Sequence, residues 1–232
     1  DITVFDLLSL WGFGPNPKSG IPEKNKIDSA LTYTGFQFLS AEKNSLIKKH
    51  RNTRIDLNAI AKGYGVDIIF DYIQSLGYEN IFVEIGGEVR FSGHNRKLDN
   101  WSIGLENPPS GLTNAEDPFF GIFKGESAAV ATSANYRNFV DLDGTILGHT
   151  INPKTGFPVQ TDVLSVSVVT EKCMEADAWA TALMTLSYED GLKILDNFKN
   201  ISAAWLLKTG KEARVIAKKG DFRIIEPIFE MK

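Results

Sequence analysis

Ile60-Ala61-Lys62-Gly63-Tyr64-Gly65-Val66-Asp67-Ile68-Ile69-Phe70-Asp71-Tyr72-Ile73-Gln74-Ser75-Leu76-Gly77 is the most diagnostic run of residues in the chain. Apolar residues recur at Ile60, Tyr64, Ile68, Ile69, Tyr72, Ile73 and Leu76, the three-to-four spacing of a helix face, and Gly77 stands where a helix stops. A long helix is therefore expected from Ile60 to Leu76. The residues after Gly77 have a different pattern. Ile81 to Ile85 and Val89 to Ser92 are short β-rich runs separated by Gly86-Gly87-Glu88, which reads either as a plain hairpin or as a turn where backbone approaches a ligand.

On either side of this helix and hairpin the pattern extends. Further strand-like runs lie at Trp101 to Leu105, Ser127 to Thr132, Phe139 to Leu142, Val163 to Val169, Ala203 to Leu207 and Val215 to Ala217. Asp143-Gly144 and Thr209-Gly210 mark hairpins, and hairpin-joined strands are antiparallel. A second helix is expected from Met174 to Leu186, and Ser187-Tyr188-Glu189-Asp190 is a capping-box pattern that announces a third. The segment Pro108 to Pro118 reads as a surface loop. Because strands arrive in groups and do not alternate with helices, the fold class is α+β, with mostly antiparallel sheets packed with helices.

The 232 residues, 43% hydrophobic and 23% charged, suffice for a full core in one domain or two closely fused lobes. A net charge of -4 with a pI near 5.5 argues against a nucleic-acid partner, which would need a basic face. Lys48-Lys49-His50-Arg51 and Lys218-Lys219 are short enough to be solvated surface. The single Cys173 excludes an intramolecular disulfide and reads as a buried structural thiol. No run approaches the roughly 20 apolar residues of a membrane span. The opening Asp1-Ile2-Thr3-Val4-Phe5-Asp6 has no signal-peptide character and reads as the middle of a longer protein, so a fragment is expected.

Four segments carry chemistry. His149-Thr150-Ile151-Asn152-Pro153-Lys154-Thr155-Gly156 sets an imidazole, an ammonium and a hydroxyl on a loop whose Asn-Pro and Gly enforce a sharp turn. Its bland alternative is a polar hairpin loop. Asp56-Leu57-Asn58-Ala59-Ile60-Ala61-Lys62-Gly63 runs into the long helix, where free N–H groups and Lys62 suit a phosphate. It lacks the spacing of a P-loop or a Rossmann fingerprint, and on pattern alone an N-capped helix with a surface lysine is the better reading. Asp177 and Thr181 stand at i and i+4, so a carboxylate and a hydroxyl on one helix face reach a single small cation. The surrounding alanines leave room for backbone from another segment, although a small-residue packing face has the same pattern. Thr132-Ser133-Ala134-Asn135-Tyr136 supplies hydroxyls after a strand.

Taken together, Asp56 to Tyr64, Gly86-Gly87, Thr132 to Tyr136, His149 to Gly156 and Asp177 to Thr181 resemble, in order and spacing, the ApbE family of FAD:protein FMN transferases. Trp11-Gly12-Phe13-Gly14 extends the resemblance to the start, so it covers essentially the whole chain. The resemblance implies a single ApbE-like domain with a T-fold-like core, lacking an upstream segment. It implies Mg²⁺-dependent transfer of FMN from FAD to a Thr or Ser of a target protein with release of AMP. FAD hydrolysis to FMN and AMP, or flavin binding without turnover, stand as alternatives.

Carried over by position, the resemblance makes Asp177, the Thr181 hydroxyl and the Ala59 carbonyl metal ligands. Asp56, Lys62 and the backbone near Ile151 become FAD contacts, and His149 the catalytic base beside the scissile bond. Asn152 departs from the Asp that many relatives carry before the Pro. Acceptors implied are subunits of Na⁺-pumping NADH:quinone reductase and Rnf-type complexes. The expected location is the bacterial cell envelope, in the periplasm or at the outer face of the inner membrane, with a lipid anchor on the full-length protein.

Overall fold

In a computed structural model the described residues are 1–15, 20–109, 112–136, 139–142, 145–218, 222–225 and 227–231, with side chains described outside 139–147 and 217–218. In chain order the elements begin with helices α1 (Phe5–Leu10) and α2 (Lys24–Leu31), a 3₁₀ turn (Phe36–Phe38), strands β1 (Leu39–Glu42) and β2 (Ser45–Lys48), and helix α3 (Asn58–Ser75). Next in the chain are strands β3 (Ile81–Ile85), β4 (Glu88–Ser92), β5 (Trp101–Glu106), β6 (Phe119–Gly125), β7 (Ala128–Ala134), β8 (Phe139–Leu142), β9 (Thr145–Gly148) and β10 (Val163–Thr170). Helices α4 (Cys173–Met184) and α5 (Tyr188–Leu195) precede β11 (Ser202–Thr209), β12 (Glu212–Lys218), β13 (Phe222–Ile224) and β14 (Ile228–Glu230). The α+β class holds, and all strand pairs of the described sheets are antiparallel.

The chain divides into two compact units, Asp1–Ala59 with Asn135–Gln160, and Ile60–Ala134 with Thr161–Lys232. The second unit contains a seven-stranded sheet in the order β14-β12-β11-β10-β7-β4-β3 and a three-stranded sheet β13-β6-β5. Every residue of β10 is buried, as expected of a central strand covered on both faces. A register shift between Val163 and Ser165 brings Val163 into one cluster with Val166 and Val168, against strict alternation. Ala180, Leu183 and Met184 of α4 and the fully buried Trp205 of β11 complete that cluster. Each buried aliphatic side chain there contributes on the order of 1.5–3 kcal/mol.

A second cluster joins Val66 and Phe70 of α3 to Ile81 and Val83 of β3, Ala129 of β7 and Cys173 of α4. The stripe that reveals α3 in the sequence is therefore not the face it buries. Tyr64, Ile68, Ile69, Tyr72 and Leu76 are exposed, and the buried face is Gly63, Val66, Asp67 and Phe70. Both faces of α3 are rich in apolar residues, and the glycine side permits the closer approach.

The first unit packs Leu7, Trp11, Ile27, Ala30 and Ile151 into its own core. Its strand pairs are β1-β2 and β8-β9. The Asp143-Gly144 hairpin turn lies outside the described residues, while its flanking strands pair Leu142 with Thr145. Lys48 and His50 are less freely solvated than expected. Lys48 Nζ donates to the carbonyls of Arg51 and Thr53, and the His50 ring stacks on Tyr33. In the second unit the expected surface loop at 108–118 is pinned where Thr113 is buried and bridges to Met231.

Candidate functional site

The 149–156 loop of the first unit is built turn by turn. Asn152 N–H donates to the Phe157 carbonyl (2.9 Å), Gly156 N–H to the Asn152 carbonyl (2.8 Å), and Lys154 N–H to Asn152 Oδ1 (2.8 Å). Asn152 thus closes its own turn through a side-chain amide that carries no charge. Gly156 has φ of 75°, and a Cβ there would strike Ile27 Cγ2, so only glycine fits. Its carbonyl accepts a buried hydrogen bond from Trp11 Nε1 at 2.7 Å.

That bond explains the Trp11-Gly12-Phe13-Gly14 segment. Trp11 holds the far end of the loop and packs against Phe157, while Phe13 sets an aromatic edge against His149 with ring centroids 6.2 Å apart. His149 is half-buried directly after β9, and Ile151 is buried and bridges to Pro158. Lys154 and Thr155 are exposed. Asp56, also in this unit, takes the Asn58 N–H on Oδ1 (2.8 Å) and the Asn58 side-chain amide on Oδ2 (3.1 Å). It closes the turn that starts α3, and Ala59, half-buried, is the helix's second residue.

In the second unit, α3 and α4 meet at Gly63. A Cβ on Gly63 would lie 2.7 Å from the Cys173 carbonyl carbon and 2.8 Å from Met174 Cα, so the crossing depends on the missing side chain. Asp67, one turn along α3, accepts the N–H groups of Cys173 and Met174, both at 2.9 Å. Those are orphan donors at the start of α4, and a carboxylate there also complements the helix dipole. Arg90 of β4 braces the same carboxylate at 2.9 Å, reaches Asp71 at 2.8 Å, and lies over the Phe70 ring.

This scaffold sets Asp177, one turn into α4, against the backbone of α3. Its Oδ2 accepts the Gly63 N–H at 3.0 Å, and the residue is only 4% exposed. Backbone from another segment does approach between the alanines, and it belongs to α3. Asp177 accordingly serves the helix crossing as well as any ligand. Burial pushes its carboxyl above the ordinary value, and the Gly63 N–H and the Lys62 charge offset this only in part. One further turn along α4, Thr181 Oγ1 lies 3.2 Å from Ser133 Oγ of β7.

Lys62, next to Gly63, is not a solitary surface lysine. Its Nζ donates to Glu88 Oε1 at 2.6 Å, and Glu88 comes directly after the Gly86-Gly87 turn as the first residue of β4, buried to 2% exposure. Glu88 Oε2 is buried with no hydrogen-bond partner among the described residues. Desolvation raises the Glu88 carboxyl, Lys62 lowers it, and the Asp177 charge raises it again. Cys173 is fully buried at the start of α4, its thiol pushed up by burial and then by the charges of Asp67, Asp177 and Glu88. It is a structural thiol, as expected.

Asp177 and Glu88 are buried carboxylates whose charges act on each other, and Lys62 pairs with Glu88. A carboxylate and a hydroxyl such as Asp177 and Thr181 are oxygen donors of the kind that fits a hard divalent cation. Among the described residues no three or more His, Cys, Asp or Glu side chains form a metal-holding group. A cation at Asp177 would draw its other ligands from hydroxyl, main-chain and substrate oxygens. Of the residues expected from the sequence, Lys62, Asp177 and Thr181 belong to the second unit, and Asp56, Ala59, His149 and Ile151 to the first. Glu88 and Asp67 escaped sequence reading. Their partners lie 26, 106 and 107 residues away, and no local pattern announces them.

The chain resembles known proteins along most of its length. The ApbE family profile matches residues 1–205. A Vibrio cholerae protein named FAD:protein FMN transferase is 40% identical over 197 residues, covering 84% of this chain and 58% of its own. Its Escherichia coli namesake is 31% identical over 226 residues, covering 95% of this chain and 60% of its own. The chain thus spans about three-fifths of these curated relatives. Among solved structures, the flavin transferase ApbE from Vibrio cholerae superposes with a TM-score of 0.85 at 37% identity, over 94% of this chain and 68% of that one. The apbe protein from Thermotoga maritima gives 0.81 at 29% identity, over 94% and 69%. With the profile covering most of its length, and relatives of this identity sharing its fold, the chain belongs to the ApbE family.

Proposed function

We propose that this chain carries the core of a Mg²⁺-dependent enzyme that transfers FMN from FAD to a Thr or Ser hydroxyl of a target protein and releases AMP. The observation that carries this reading is the buried Asp177 of α4, which accepts the Gly63 amide of α3 and feels the charge of Lys62, itself paired with Glu88, in a chain of the ApbE family. Asp177, the Thr181 hydroxyl and the Ala59 carbonyl would hold the ion. Bound there, Mg²⁺ supplies charge stabilisation at the diphosphate.

The chain's own groups do the rest. Lys62 and Asp56, with main chain near Ile151, bind and orient FAD. The acceptor hydroxyl oxygen forms a bond to the phosphorus of the FMN half as the bond from that phosphorus to the bridging oxygen breaks. The bridging oxygen leaves with AMP. His149 takes the acceptor proton, because a neutral hydroxyl that keeps its proton is a poor nucleophile. Phe13 beside the imidazole, and Asn152 closing the loop behind it, hold the base in place. The acceptors we propose are Na⁺-pumping NADH:quinone reductase and Rnf-type subunits, met in the bacterial cell envelope by a lipid-anchored full-length protein.

The test is incubation with FAD and Mg²⁺, with and without an acceptor peptide bearing a Thr. Peptide carrying covalent FMN, with AMP in equal amount, is expected. His149→Asn should slow that transfer about 10²–10⁴-fold at unchanged FAD affinity. Free FMN regardless of peptide would make the chain a pyrophosphatase, and unchanged FAD would make it a flavin-binding protein. Either result overturns transfer.

A further inference from the structure

We infer that Glu88 is a positioning residue that holds the Lys62 ammonium in place for an anionic diphosphate and keeps it off Asp177. The inference rests on the proposed binding of FAD and a divalent cation at this locus.

Three observations lead to it. First, the clamp is rigid on one side and open on the other. Glu88 sits at the mouth of a two-residue hairpin, paired with Ile85 across the Gly86-Gly87 turn, and its side chain is 3% exposed. The Lys62 side chain is 47% exposed, so a ligand can reach it while Glu88 anchors its ammonium. An ammonium has three donors and Glu88 Oε1 takes one, which leaves two for phosphate oxygens. Second, a free lysine side chain samples many rotamers, an entropy that a ligand must otherwise overcome on binding. A lysine already held by a buried carboxylate has lost that freedom before the ligand arrives.

Third, the charges nearby make the clamp selective. The Lys62 charge acts on Asp177 as well as on Glu88, and Asp177 is bonded to the amide of the neighbouring Gly63, so the two carboxylates compete for one ammonium. The ion pair forms with Glu88, and among the described residues the Asp177 carboxylate is bonded to the Gly63 amide. Without the Glu88 charge, Asp177 is the buried anion remaining beside Lys62. A lysine collapsed onto Asp177 would occupy the carboxylate that serves the cation and be withdrawn from the diphosphate. One substitution would then weaken two ligands, and the second effect would depend on Lys62.

That dependence gives the test. Glu88→Gln, Lys62→Met and the double variant are compared with the unmodified chain, each confirmed folded by circular dichroism at the assay temperature. FAD affinity is read from flavin fluorescence with Mg²⁺, and Mn²⁺ affinity from the free-ion electron paramagnetic resonance signal at saturating FAD. Glu88→Gln should weaken both by about tenfold, the size of one charge-assisted hydrogen bond. Lys62→Met should weaken FAD alone, and the double variant should regain the Mn²⁺ affinity of the unmodified chain.

Mn²⁺ binding that stays weak in the double variant overturns the inference, because Glu88 would then act on the ion or the fold and not through Lys62. Unchanged affinities in Glu88→Gln overturn it as well. If the unmodified chain binds neither FAD nor Mn²⁺, the functional reading itself fails and takes this inference with it, a result distinct from the other two.

Discussion

Asp177 occupies a position that an ionised carboxylate tolerates poorly. It is buried, its partner among the described residues is a backbone amide, and its carboxyl is raised above the ordinary value chiefly by desolvation. A raised folded-state pKa means that the folded chain holds the proton more tightly than the unfolded one. The cost of the charge is absent below the unfolded value near ~3.9, grows as pH rises through the raised folded value, and is fully present above it. Asp177→Asn removes that charge and keeps an oxygen for the Gly63 N–H. At neutral pH, without Mg²⁺ or FAD, the variant should therefore melt at a higher temperature than the unmodified chain, and the difference should close as the pH falls toward 4. It should also lose FAD cleavage. A variant that is less stable at every pH, measured by calorimetry, would show that the charge is compensated in the apo chain. The i, i+4 relation of Asp177 and Thr181 was legible in the sequence because both sit on one helix. Glu88 was not, since a buried glutamate at a strand start acquires meaning only from a lysine on another element.

Among the elements, α3 and α4 stand or fall together. Gly63 lets the helices touch, Asp67 supplies the N-terminal donors of α4 with an acceptor, and Arg90 braces Asp67 from β4. Gly63→Ala makes the case testable. In a solvated helix the change would stabilise by about 1 kcal/mol. Here the methyl meets the Cys173 carbonyl and Met174 Cα, and overpacking of this kind costs roughly 1–3 kcal/mol. Urea unfolding should show net destabilisation, and a gain in stability would mean that the helices can separate without loss. The sequence predicted α3 within two residues at its start and one at its end, and α5 by its capping box, where Ser187 Oγ does accept the Asp190 N–H. It misplaced the face of α3, because apolar periodicity reports that a helix exists but cannot rank two apolar sides. α4 begins and ends earlier than expected, at Cys173 and Met184, since Asp67 caps it from outside its own sequence.

Across the molecule, alternating and β-branched runs exposed most of the large antiparallel sheet, with β3 and β8 at their expected bounds and β7 displaced toward Ala134. The short elements α1, α2, β1, β2, β13 and β14 left no such signal. Each is eight residues or fewer, and tertiary contacts such as Trp11 on Gly156 hold them more than their own propensity does. The loop that carries His149 stood out in the sequence by its residue types. The group that holds it, a tryptophan 145 residues away from Gly156, was not. Metal, nucleotide and base all depend on the Asp177 carboxylate of α4 being where a divalent cation is held. Crystals of the chain grown with FAD and Mn²⁺ in place of Mg²⁺, with data measured at the manganese edge, put that dependence to the test. An anomalous peak within coordination distance of Asp177 Oδ and Thr181 Oγ1 is expected, whereas a peak elsewhere, with FAD bound and Asp177 still on the Gly63 amide alone, would refute the assignment.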